Sequence, residues 1–134
     1  MNWISTSDNI DVFGSNGMEG GAICRSLKKN GYQNLLTPKR DELNLLNFNN
    51  VENWFNLAKP DVVIIAAAKV GGIYANNNYP ADFILENLKI QNNIIEIAWR
   101  KNVKKLLFLG SSCIYPKFSK QPISEEALLS GDLE

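Results

Sequence analysis

Residues 61–66, Asp-Val-Val-Ile-Ile-Ala, are the strongest buried-strand signal in the chain. A strand with one solvated face alternates apolar and polar residues. An unbroken β-branched run is apolar on both sides and has to be covered on both. That requirement points to a parallel sheet between layers of helix. Leu106–Leu109 reads the same way, as a strand buried on both faces, and it leads into Gly110-Ser111-Ser112-Cys113-Ile114-Tyr115-Pro116. Ile10, Val12 and Phe13 make a short first strand, and a helix follows through Ala22, Ile23 and Leu27 to a stop at Gly31. Asn34–Leu36 reads as a strand closed by Thr37-Pro38. Asn49-Asn50 can cap a helix carrying Val51, Trp54, Phe55 and Leu57, which ends before Pro60. A long loop over 67–78 precedes a helix from Tyr79-Pro80-Ala81 to about Asn102. Its Ile84, Leu88, Ile95 and Ala98 recur at helical spacing, with Gln91 interrupting the row. Residues 1–8 read as a loose leader, and Glu125–Leu129 as a short helix.

Strand and helix alternate, so the predicted class is α/β: a doubly wound (Rossmann) parallel sheet, in one domain over 1–134. In such sheets ligands sit beyond the carboxyl ends of the strands. Lys+Arg and Asp+Glu both number 14 in the 134 residues, so the net charge is zero and no broad nucleic-acid footprint is expected. Cys24 and Cys113 lack metal-ligand spacing and read as free thiols of a reducing compartment; no metal site is expected. The start of the chain carries no signal-peptide pattern and no membrane span is found, which predicts a cytoplasmic protein. There is no His, which excludes His-based triads and metal sites within these residues.

Gly14, Gly17 and Gly20 lie between first strand and first helix. The first permits a tight turn, the second a close approach of a pyrophosphate, and the third close helix–strand packing. The helix start then offers N–H groups to the phosphates. This is a dinucleotide site or an unliganded turn; a P-loop is excluded, because no Gly-Lys-Ser/Thr follows. After the second strand come Thr37, Pro38, Lys39 and Arg40, with no acid for ribose hydroxyls. Cations there suit a 2′-phosphate, hence NADP, or are solvated surface charges. The small residues Ala66-Ala67-Ala68 after the third strand let a ligand lie against the backbone, or a helix pack closely. Two residues break local rules. Asp11 sits inside a buried strand, where an unpaired carboxylate costs several kcal/mol. Glu19 places a negative charge in the phosphate turn. Either these side chains reach solvent or the cofactor binds poorly.

These residues resemble the N-terminal part of the GDP-L-fucose synthase family, the GDP-4-keto-6-deoxy-D-mannose epimerase/reductases among the extended short-chain dehydrogenase/reductases. The carrying segments are Gly14–Gly20, Arg40–Leu45, Ala66–Ile73, Ala75–Asn77, Tyr79–Phe83 and Leu106–Lys117. The resemblance runs from about Ile10 to the last residue. It implies a cofactor site for NADP(H) built from Gly14, Ser15, Asn16, Gly17, Met18, Glu19, Gly20, Arg40, Ala67, Leu109, Gly110, Ser111 and Ser112. Asn16 stands where the family often has a second Arg for the 2′-phosphate, and Glu19 replaces an apolar residue. Ser111 matches the catalytic Ser that polarises the C4 keto oxygen. Cys113 matches the acid/base Cys that works beside a His in epimerisation at C3 and C5. The implied substrate is a GDP-keto-deoxy-hexose. The family's Tyr-x-x-x-Lys is absent: none of Tyr32, Tyr74, Tyr79 or Tyr115 has a Lys four residues on. The expected object is an incomplete NADP-binding Rossmann domain that stops after the fifth strand of the fold, without the C-terminal substrate domain. Alone it is expected to be inactive. The alternative is a non-catalytic NADP-binding or interaction module completed by another chain, with a homodimer or a complementing C-terminal piece as partner.

Overall fold

A computed structural model describes residues 4–133. It contains strands β1 (Ile10–Phe13), β2 (Leu35–Leu36), β3 (Val62–Ile65) and β4 (Lys105–Phe108). The helices are α1 (Met18–Lys29), α2 (Phe48–Ala58), α3 (Ile73–Asn78) and α4 (Pro80–Arg100). The strands form one parallel sheet in the order β2-β1-β3-β4. Phe13, Ile65 and Phe108 are in register, so the three strands end level with one another.

Alternation along each strand feeds two cores. Phe13, Val63 and Ile65 pack with Val51 and Phe55 of α2 and with Ile94, Ile97 and Ala98 of α4. Ile10, Val12, Val62 and Ile64 pack with Cys24, Ile23 and Leu27 of α1. Helices on both faces make the sheet doubly wound, as expected from sequence. At the amino ends of the strands, the Lys104 ammonium bridges Asp8 and Asp61, each at 2.9 Å. Those two carboxylates also accept the backbone N–H groups of Ser5 and Asn9.

Several expectations are corrected. Four strands are present among the described residues, as the alternation implies, and the last of them takes the fifth position of the fold. The order matches the 2-1-4-5 part of a dinucleotide-binding sheet, and the strand lacking is the outer one beyond β2. The intervening residues 37–47 run as turns, with Pro38 followed by charged Lys39 to Glu42, which suit a strand badly. Of the expected leader, residues 1–3 lie outside the described residues; residues 5–8 are a packed turn that buries Asp8. The cap of α2 is Asn47, whose side chain accepts the Asn50 N–H at 3.1 Å; Asn49 and Asn50 lie inside the helix. The loop 67–78 contains α3. Glu125–Ala127 is a single 3-10 turn. In α4 the buried row is Ile94, Ile97 and Ala98; of the expected row, Ile84 is 60% exposed and Leu88 and Ile95 also face outwards.

β4 is not buried on both faces. Leu107 is 50% exposed and Phe108 44%. Leu107 pairs with Ile64, so it projects from the α1 face of the sheet, where no second helix covers it among the described residues.

Candidate functional site

The site is built on the rim where the parallel strands end. Gly14 has φ +89°, a conformation open mainly to glycine. A Cβ there would stand 2.6 Å from the Ala66 carbonyl carbon and 2.7 Å from the Ala67 nitrogen, so the turns after β1 and β3 touch through backbone. The Gly17 N–H closes the turn onto the Gly14 carbonyl at 2.9 Å. A Cβ on Gly20 would meet that same carbonyl oxygen at 2.2 Å. Only a bare backbone fits at Gly20, which lets α1 start hard against the strand. The first i→i−4 bond runs from the Gly21 N–H to the Gly17 carbonyl, leaving the N–H groups ahead of it for a ligand. Ser15 is half-buried; Asn16, Met18 and Glu19 are exposed, so the Glu19 charge reaches solvent.

Asp11 does not escape. It is fully buried under α2, where the Trp54 indole N–H donates to Oδ2 and Oδ1 has no partner. Burial pushes its carboxyl up to about 7, against the lowering effect of the Trp54 hydrogen bond.

Beyond β2, Arg40 lies exposed in a turn one strand from the glycine bend. That turn is held by the Lys39 N–H on Glu42 at 2.9 Å and by Leu43, which plugs the core. Beyond β4, the Leu109 N–H bonds the Ile65 carbonyl at 3.1 Å and continues the ladder one residue. Gly110 follows with open space around it. The Ser111 Oγ then caps a 3-10 turn, Ser112–Ile114, by accepting the Cys113 N–H at 3.1 Å. Its own O–H stays available to donate. Ser111, Ser112 and Cys113 are all exposed.

The glycine bend and the Ser111–Cys113 turn therefore share one rim, two strand positions apart, roughly 10 Å at usual strand spacing. Ala67 lies on the intervening strand's loop. Sequence reasoning missed what holds that loop. Asn87 of α4 accepts the Lys69 N–H at 2.7 Å and donates to the Lys69 carbonyl at 3.0 Å. Glu86 pairs with the Lys69 ammonium, which also lies 5.5 Å from the Phe83 ring centre. Glu86 and Asn87, side by side among Ile84, Leu85 and Leu88, were the available signal. A shallow cleft of about 460 Å³ opens beside this contact, lined by Gly71 and Asn76 among others. Among the described residues no cluster of ligating side chains could hold a metal, and no helix is long and apolar enough to cross a membrane.

The NAD dependent epimerase/dehydratase family model matches residues 10–134. A putative GDP-L-fucose synthase 2 of Arabidopsis thaliana is 56% identical over 131 residues, 98% of this chain and 40% of that protein. The GDP-L-fucose synthase of Escherichia coli is 52% identical over 129 residues, 96% of this chain and 40% of that protein. MlghC, a GDP-mannoheptose C4 reductase from Campylobacter jejuni solved with NADP bound, superposes with TM-score 0.88 at 43% identity, over 98% of this chain and 41% of that one. The chain thus spans about 40% of the length of the curated relatives it matches. With its doubly wound sheet, its glycine bend and a match over nearly its whole length, this chain belongs to the NAD dependent epimerase/dehydratase family.

Proposed function

We propose that this chain is the NADP-binding Rossmann portion, over 1–134, of a GDP-keto-deoxy-hexose epimerase/reductase of the GDP-L-fucose synthase kind. The observation that carries the reading is the shared rim: a glycine bend, Ala67 and the Ser111–Cys113 turn in consecutive strand order. The cradle at Gly14 and Gly20 fits a pyrophosphate, because a side chain at either would fill it. Arg40 would take the 2′-phosphate, and the backbone of Leu109 and Gly110 the far end of the cofactor. When bound, NADPH supplies hydride to a ketone carbon.

The chain's own residues bind and prepare the sugar. The free Ser111 O–H donates to the C4 keto oxygen and draws charge onto it. That polarisation acidifies the C–H bonds at C3 and C5. Cys113, exposed beside it, removes and returns protons there as thiolate and thiol. No Tyr-x-x-x-Lys and no His occur in the 134 residues, so the proton for the C4 oxygen comes from outside them. Lacking a general acid alone lowers turnover by ~10²–10⁴-fold. The chain by itself should bind NADPH and turn over the keto-sugar nucleotide negligibly. Calorimetry with NADPH, and loss of NADPH absorbance on authentic substrate, measure the two. No heat of binding would remove the reading, and turnover matching that of a full-length relative would remove the need for an outside acid.

The open edge at β4 favours a second reading, a module completed by another chain. Leu107 and Phe108 are uncovered there, and α4 presents Ile84, Leu88, Ile95 and Trp99 outwards. Such surfaces are suited to a C-terminal complementing piece or a second copy. The place of such work is the cytoplasm.

A further inference from the structure

Resting on the cofactor reading above, we propose that Asn87 is a positioning residue that latches the loop after β3 into the path of the cofactor. The sheet order sets that path. A dinucleotide with its 2′-phosphate at Arg40 and its pyrophosphate on the β1 bend reaches Ser111 only by crossing the end of β3. The surface it crosses is the backbone of Ala66 to Lys69. Ala66 and Ala67 are fixed on one side by contact with Gly14. On the other side α4 holds the loop at Lys69. Asn87 takes both backbone polar groups of Lys69, as a neighbouring strand would. Phe83, Glu86 and Asn87 fall at helical spacings of three and four, so one face of α4 grips one loop residue. The grip also occupies the Lys69 ammonium with Glu86. Lys69 therefore shapes the path through its backbone, and its charge is not directed at a phosphate.

The latch acts on the part of the cofactor beyond the pyrophosphate. Adenosine 2′,5′-bisphosphate, which spans only the β2 and β1 ends, does not reach it. Titration of the 134-residue chain and of Asn87→Ala and Asn87→Asp with both ligands separates the two regions. Both variants should bind the bisphosphate within about twofold of the parent, and NADPH at least about tenfold more weakly: Ala loses both backbone hydrogen bonds, and Asp, which can still accept the Lys69 N–H, loses the donor and sets a carboxylate against the Lys69 carbonyl. Retained bisphosphate binding shows that the variants are folded. Trypsin gives a reading independent of NADPH: cleavage after Lys69 should be about tenfold faster in either variant, since opening of the loop admits the protease. Unchanged NADPH affinity in the variants, where the parent binds, overturns the latch, as does unchanged cleavage after Lys69. A parent that binds no NADPH overturns the cofactor reading instead, and cleavage then decides the latch.

Discussion

Around β1 and β3 every strand residue is buried, and the rim is closed by backbone against backbone at Gly14, Gly20 and Ala66. Around β4 the strand carries equally apolar residues, yet Leu107 and Phe108 stay half exposed and Gly110 has nothing near it. The two halves have similar sequence character and different surroundings. Apolar content specifies that a strand forms; burial depends on whether a neighbour and a covering helix are there. The half of the rim bearing Gly14 and Gly20 is enclosed, whereas the half bearing Ser111 and Cys113 is open.

Substitutions at register partners measure that difference directly. Ile64→Ala should destabilise the chain by about 2–5 kcal/mol, because the site is enclosed, while Leu107→Ala beside it should cost under about 0.5 kcal/mol. Urea denaturation of the pair checks this, and equal losses would mean that β4 is as well covered as β3. A pH series probes the closed half through Asp11. Its folded pKa of about 7 exceeds the ordinary 3.8, so its stabilising contribution is full below pH 3.8, declines as pH rises through 7, and is flat above. The decline is on the order of 4 kcal/mol at most. Asp11→Asn should remove it from melts run between pH 4 and 8. The Asp8–Lys104–Asp61 bridge at the base of β4 slopes the other way. Hydrogen bonds from backbone N–H groups and from Lys104 hold both carboxyls below their usual range, so its contribution is lost in acid. The smallest contrast is between two glycines. Gly20→Ala forces a methyl against a backbone oxygen and should cost about 1–3 kcal/mol with loss of NADPH binding, whereas Gly110→Ala should be tolerated within about 0.5 kcal/mol. Thermal melts with and without NADPH test both.

Much of this was legible in the sequence. Val62–Ile65 reads as a strand buried on both faces, and Gly14, Gly17 and Gly20 as a turn between the first strand and the first helix, and both are found there. The parallel order then put Gly14 and Ser111 on one rim without further information. Other features were not legible for physical reasons. The sequence places the cap of α2 at Asn49-Asn50; the turn that ends at Asn47, its N–H on the Asn44 carbonyl, starts the helix two residues earlier. α4 carries apolar residues on more than one helical row, so the rows compete. The winner, Ile94–Ala98, is the one that meets Phe55 and Val63. The openness of β4 depends on neighbours that no local pattern reports. Asp11 breaks the strand rule because Trp54, 43 residues away, supplies a partner.

Lys104 joins Asp8 and Asp61 immediately ahead of three strands, at the end of the sheet away from the chemistry. The three strands are thereby tied together at a foundation, on the shore opposite the glycine bend. Loops beyond the carboxyl ends can exchange residues or change length without touching this tie. One ammonium group thus fastens three strands at a place that no rim loop has to reach.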